Sequence, residues 1–297
     1  MAVSESQLET WSHQGAVTTA VTTHELIRNA LSSGRSHIQT SNFEVFLQGS
    51  YKNSTNIRGE SDVDIVVQLN DTYHRDLSAL PPDQESAYMQ ARSEATYLLP
   101  QFRVDVLQTL RDRFGSSIVE GNKSLKLPRD SGRLPADIVI CLQYRKYRRF
   151  TPQSQSYIEG IAFDTQDGRR IISFPKSHYE NGTAKNDRTN EFFKRSVRMF
   201  KNAREFLVER GVITSHLAPS YFVECLLYNV PDGNFGPTLR DTYYKVVNCI
   251  NSSNNSTLAA IKCQDGQLQL FGDEPEQWSV HDAQQFSTAL AQLWNES

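Results

Sequence analysis

The apolar positions of this chain follow two rhythms, one after the other. Up to about residue 175, short apolar runs alternate with helical stretches; beyond about residue 180, apolar residues recur every three or four positions. Ala20, His24, Ile27 and Leu31 share a helical face closed by Gly34, which predicts a long N-terminal helix. Residues 43–47 predict a short strand and residues 65–69 a second. Pro81-Pro82 breaks the chain, and 83–99 reads as a helix. Val104, Leu107, Leu110 and Phe114 predict another amphipathic helix, stopped by Gly115. Residues 118–127, with Gly121-Asn122 inside, read as a hairpin, and 137–142 is a strongly β-prone run. Residues 157–163 and 169–174 flank the turn Gln166-Asp167-Gly168. Four further helices are expected over 189–210, 219–229, 239–250 and 281–294.

That order predicts an α+β chain. Residues 1–180 would form a core of mixed β-sheet with flanking helices, packed on a helical domain over 181–297. A ligand site belongs in the cleft between the two. The chemistry of residues 49–67 changes this from architecture to function. There a Gly-Ser turn and a polar loop precede two aspartates one residue apart, which open an apolar run. Strand side chains alternate faces, so Asp62 and Asp64 point the same way, about 7 Å apart along the strand. Such a pair can hold divalent metal. Gly49 and Ser50 offer backbone N–H groups and a hydroxyl without bulk, which is how backbone grips phosphate. Phosphate grip and paired carboxylates together argue for metal-assisted phosphoryl or nucleotidyl transfer.

A third carboxylate usually completes such a site. Asp105 lies on a helical pattern and Asp137 opens a strand. A strand beside the first pair can bring its acid to the same metal rigidly, which favours Asp137, a choice the family resemblance below also supports, and Asp105 reads as a solvent-facing helix residue. Lys194, Arg198 and Lys201 recur at i, i+4 and i+7 beside the apolar stripe Phe193, Val197 and Phe200. This cation row suits nucleotide phosphates, or else a surface helix with salt bridges.

Composition sets limits. The 297 residues are 38% hydrophobic, with 15 Phe and 12 Tyr, enough for a buried core. No apolar run approaches the ~18 residues of a membrane helix. The N-terminus lacks the basic-then-apolar signal pattern. The expectation is a cytoplasmic protein without membrane contact. Cys141, Cys225, Cys249 and Cys263 are scattered, with no Cys-x-x-Cys and no His cluster, so they read as reduced thiols and not as zinc ligands. A net charge of −3 gives no overall pull toward nucleic acid. Residues 169–204 nevertheless hold ten Lys/Arg against three Asp/Glu, a basic face for a triphosphate or a longer polyanion, or simply a solvated one. Residues 144–149 interleave basic and aromatic side chains, which suits nucleic-acid contact or, more simply, a basic strand end.

Gly-Ser, eleven residues, then Asp-x-Asp resembles the signature of the polymerase-beta-like nucleotidyltransferases. The fuller string Leu47–Val67 is similar to the bacterial cGAS/DncV-like nucleotidyltransferases. Trp11–Gly15, the helix carrying Lys194–Lys201 and Pro219-Ser220-Tyr221 extend the likeness. The resemblance implies condensation of nucleoside triphosphates, ATP foremost, into a cyclic di- or trinucleotide messenger of anti-phage defence, with pyrophosphate released. It implies two Mg²⁺ ions, replaceable by Mn²⁺, on Asp62, Asp64 and Asp137. It also implies Lys201 as a triphosphate lysine, Ser220 as a phosphate contact, Tyr221 stacking on a base, and a HORMA-type activator. The zinc-bound DNA-sensing insert of the animal relatives has no counterpart here. The core motif alone equally suits adenylyl transfer to a small molecule, protein or RNA end, or a nucleotide- or RNA-binding module without catalysis.

Overall fold

The computed structural model describes residues 3–57 and 62–295. The N-terminal stretch forms two helices, α1 (Glu5–Ser12) and α2 (Thr18–Leu31), the second being the one the sequence pattern predicts. Next come strand β1 (Phe43–Leu47), the short helix α3 (Gly49–Asn53), and β2 (Val63–Asp76). Helix α4 (Pro82–Ala91) is shorter than the 83–99 expected, and α5 (Leu99–Phe114) begins separately. Pro100 sits in the first turn of α5, where it is tolerated, and so marks where α5 begins. Hairpin β3 (Val119–Glu120) and β4 (Leu125–Leu127) leads to β5 (Ala136–Thr151), β6 (Ser154–Asp164) and β7 (Arg170–Ser173). Helices α6 (Pro175–Arg188), α7 (Phe192–Glu209), α8 (Ser220–Tyr228), α9 (Leu239–Ser252), α10 (Asn255–Ala259) and α11 (Val280–Asn295) follow.

These elements make two compact units, and neither is continuous in sequence. A sheet unit takes Val17–Tyr51 and Glu60–Lys176; a helical unit takes Met1–Ala16, Lys52–Gly59 and Ser177–Ser297. The sequence reading drew one boundary after residue 180. The structure differs because Leu8 of α1 is buried among α7–α11 residues, and Trp11 lies 5.5 Å from the Phe206 ring. The strap 52–57 is stitched in as well. Asn56 donates to the Gly15 carbonyl at 3.0 Å, and Arg198 donates to the Ser54 carbonyl at 2.6 Å. Composition alone does not register such tethers.

In the sheet unit β5 is the spine. It runs parallel to β2 on one edge; on the other it pairs antiparallel with β4 near its start and β6 beyond. β1 pairs antiparallel with β2. Alternation sorts the side chains: Ile65, Val67, Ile138 and Ile140 face Ile27 and Leu31 of α2 and Phe102, Val106 and Leu110 of α5. On α5 the buried stripe therefore starts at Phe102, and Val104, expected inside, is 63% exposed. The opposite face carries Val66, Val139, Cys141, Ile161 and Phe163. The basic–aromatic run 144–149 is the far half of β5. Tyr144 and Tyr147 are buried and Arg145 sits 3.8 Å over the Tyr73 ring, so one of the run's four cations is held among rings, while Arg148 and Arg149 are exposed. Among the described residues no helix is long and apolar enough to cross a membrane, and the four cysteines are free thiols.

Candidate active site

Strand register assembles the acids. Asp64 on β2 is the direct partner of Asp137 on β5, and Asp137 is the direct partner of Lys126 on β4. Neighbouring strands lie about 4.8 Å apart. Asp64, Asp137 and Lys126 therefore form one transverse row. Asp62 stands two residues before Asp64 on the same strand path, just ahead of β2, and is exposed. Each acid of the row heads an apolar stripe on the face away from α2 and α5: Asp64 precedes Val66, and Asp137 precedes Val139. The sequence choice of Asp137 puts it beside Asp64. Asp105 lies elsewhere on α5, accepting a 2.5 Å hydrogen bond from the Tyr97 hydroxyl, so it is half-buried and partnered rather than solvent-facing.

The Gly-Ser turn is fastened to this row. The Gln48 N–H donates to the Asp64 carbonyl at 2.9 Å, and Leu47 pairs with Ile65. Gly49 has φ of +64°, and a Cβ there would lie 2.0 Å from Asp64 Oδ2. The glycine is thus required first by the carboxylate beside it and by its left-handed backbone. Ser50 follows, half-buried in α3.

Lys126 is a member of this constellation that the sequence reading missed. Its Nζ lies 3.0 and 3.3 Å from the two Asp137 carboxylate oxygens. Its amine is held above the usual lysine range, first by that hydrogen bond and then by the charges of Asp137, Asp62 and Asp64. The three carboxylates therefore direct their field at one cation, and the donor set fits a hard divalent metal, which takes oxygen ligands. Among the described residues no three His, Cys, Asp or Glu side chains are grouped so that they could hold a metal ion as they stand. The place is marked by an ammonium. Only the strand pairing reveals it: Leu-Lys-Leu in a hairpin carries no signal of its own.

The nucleotide candidates of the helical unit have a different setting. Lys201 is 2% exposed and ion-paired with Glu224, and it donates to the Thr55 carbonyl at 3.2 Å. Glu224 also accepts from the Thr55 hydroxyl at 2.7 Å and pairs with His178 Nε2 at 3.1 Å. Burial opposes ionisation of Glu224, but the Lys201 charge and the contact with His178 hold its carboxyl well below the usual range. Arg198 is equally committed, to the Ser12 and Ser54 carbonyls. Lys194 is half-buried, 3.2 Å from the Thr183 hydroxyl and 5.4 Å from the Tyr179 ring centre. Ser220 is exposed at the start of α8. Tyr221 is 38% exposed, and its ring stacks on His178 at 5.2 Å and 22°. Most of the cation row is thus internal. Glu224 had one readable signal, a lone acid inside the apolar run Tyr221–Leu227.

Residues 27–129 match the nucleotidyltransferase domain family, and residues 180–295 match the cGAS/DncV-like nucleotidyltransferase C-terminal helical domain. Over 296 residues, 99% of this chain and 98% of the relative, it is 49% identical to the cyclic UMP-AMP synthase of Rhodothermus marinus. The chain belongs to the cGAS/DncV-like nucleotidyltransferases. It is 40% identical to the cyclic nucleotide synthase CdnE01 of Staphylococcus haemolyticus, with both chains covered completely. The R. marinus CdnE c-UMP-AMP synthase structure, solved with Apcpp and Upnpp, superposes with a TM-score of 0.89 at 47% identity, covering 99% of this chain and 97% of that one. Enzymes of the nucleotidyltransferase family typically use divalent metal. The E. coli MS115-1 CdnC:HORMA-deltaN complex shares 12% identity at a TM-score of 0.57, a likeness of fold alone that carries nothing about a HORMA-type activator here.

Proposed function

We propose that this enzyme joins two nucleoside triphosphates into a cyclic dinucleotide. In each half-reaction a ribose hydroxyl attacks an α-phosphorus, the P–O bond to the β-phosphate breaks, and pyrophosphate leaves. The observation that carries the reading is the register of Asp64 against Asp137, which sets two carboxylates side by side with Asp62 next in line. Asp62 and Asp64 would hold the metal that accompanies the triphosphate, and Asp137 would complete the place beside the attacking hydroxyl. Bound there, two Mg²⁺ ions, or Mn²⁺ in their stead, supply positive charge to the leaving phosphates and lower the pKa of the hydroxyl. The backbone at Gly49 and the Ser50 hydroxyl orient the donor phosphates.

In the helical unit the assignment gives Lys194 and Ser220 to phosphate and Tyr221 to a base. Lys201 can reach phosphate only by exchanging its ion pair with Glu224. For the bases we infer one adenine and one uracil, from the R. marinus relative. The names of other relatives range over dipurine and dipyrimidine products, so the family is not confined to ATP. A role for the product as an anti-phage signal rests on the resemblance alone. The test is incubation of the purified protein with all four triphosphates and Mg²⁺, followed by mass spectrometry. A cyclic product containing U and A, lost in Asp62→Asn, is expected; only linear products, or none, would overturn the reading.

A further inference from the structure

We propose that Lys126 is a resident counterion of the catalytic carboxylates, displaced when divalent metal loads, so that it sets the metal concentration at which Asp137 joins the site. The inference rests on the metal-binding reading of Asp62, Asp64 and Asp137 above. Its own support is geometric. Lys126 stands directly opposite Asp137 in the β4–β5 ladder and reaches both carboxylate oxygens, at 3.0 and 3.3 Å. Those lone pairs cannot serve the ammonium and a metal ion in full at once. Like charges also repel, so an ammonium beside Asp137 opposes arrival of a dication.

The hairpin that presents Lys126 is braced. Leu125 and Leu127 are buried on either side of it, which fixes the lysine on the opposite face. The Gly121 N–H donates to the Ser124 carbonyl at 2.8 Å, closing the turn. At the tip, the Asn122 carbonyl accepts from the Gln166 N–H at 3.0 Å, which ties the hairpin to the β6–β7 turn. A Cβ at Gly121 would come within 3.0 Å of the Ser124 carbonyl, so the tightness of the turn itself favours the glycine. The ammonium itself stays wet, its side chain 56% exposed. An ion pair in water exchanges readily. Lys126 is therefore a positioning residue: it holds Asp137 toward the row without metal and releases it to metal.

The test is Mn²⁺ binding to nucleotide-free protein, followed by electron paramagnetic resonance, for the native chain, Lys126→Met, Lys126→Gln, Lys126→Arg and Asp137→Asn. Lys126→Met and Lys126→Gln are expected to lower the Kd for Mn²⁺ several-fold. Lys126→Arg, which keeps the charge, stays near the native value. In the Lys126→Met background, Asp137→Asn is expected to cancel the gain. Melting curves confirm that each variant is folded before its titration is read. If both neutral variants bind Mn²⁺ as the native chain does while Asp137→Asn binds it more weakly, Lys126 is an ordinary surface partner and the proposal fails alone. If Asp137→Asn leaves Mn²⁺ binding unchanged, the metal reading fails with it.

Discussion

The sheet unit and the helical unit each pair a lysine with a carboxylate, and water decides what the pair can do. Lys126 and Asp137 meet where solvent reaches both. Such a pair is worth about 0–1 kcal/mol, so a metal or a substrate can replace either partner at little cost. Lys201 and Glu224 meet with both side chains buried, and Thr55 and His178 complete the carboxylate's contacts. There the partners cannot part without stranding a charge in a dry interior. The first pair can exchange at little cost, and the second only against a partner that replaces the charge it loses. The lesson for reading such chains is that cation spacing along a helix says little until burial is known.

The sharpest way to break this comparison is to neutralise one acid of each kind. Asp137→Asn keeps shape and removes charge at a half-buried position that solvent still reaches, so the melting temperature should hold. Synthesis of the cyclic product should fall on the order of a thousandfold or more, as the metal loses a charged ligand. A variant that keeps its activity, measured by pyrophosphate release, would remove Asp137 from the chemistry. Glu224→Gln should do the reverse first: unfolding by urea at neutral pH should show a loss of about 3–5 kcal/mol, because Lys201 is left buried without its anion. Replacing both, as Glu224→Met with Lys201→Met, should recover part of that loss.

The same residue gives the comparison a pH axis. The folded-state pKa of Glu224 is depressed, so its contribution to stability is present above the unfolded value, about 4.3, and drains away as pH falls below it. Between pH 6 and pH 3 the native chain should lose stability more steeply than Glu224→Gln. Parallel curves would show that the buried ion pair is not what acid attacks.

Smaller effects sharpen the sheet side. Gly49→Ala meets a left-handed backbone and the Asp64 carboxylate together, so it should cost about 1–2 kcal/mol of stability and lower turnover as Asp64 shifts. Thermal unfolding and initial rates on the same preparation would separate the two. The least effect belongs to Asp105→Asn, which perturbs one hydrogen bond from Tyr97. A stability change of about 0.5–1.5 kcal/mol with unchanged initial rates is expected.

Much of the sheet unit was legible because its signals are local. Asp62 and Asp64 sit a fixed distance beyond Gly49-Ser50, and the apolar runs of β1, β2 and β5 show their period in a few residues. Asp137 could be preferred over Asp105 because a strand start is visible in sequence. Lys126 could not be found that way: its meaning lies in which strand β5 pairs with, a non-local fact. Helix α6 was missed because its sequence is polar and holds Gly182, and it earns its helix from packing rather than propensity. The cation row was seen as a row but not as an interior one, because its acid, Glu224, comes from a different helix.

The interleaving of the two units has a consequence for how the chain is made. On a ribosome, α1 and the strap 52–57 emerge early, while the helices they belong with emerge last. At bacterial synthesis rates the wait is on the order of ten seconds. During it Leu8 and Trp11 have no native apolar partner, so these early segments must be kept from other surfaces until the final helices arrive. No cut at a single point in the sequence yields either unit whole: a fragment ending near residue 180 carries two orphaned pieces of the helical unit, and the complementary fragment lacks them. The enzyme is best expressed, truncated and tagged as one piece, and split versions should reassemble only when residues 3–16 and 52–57 are supplied along with the helices.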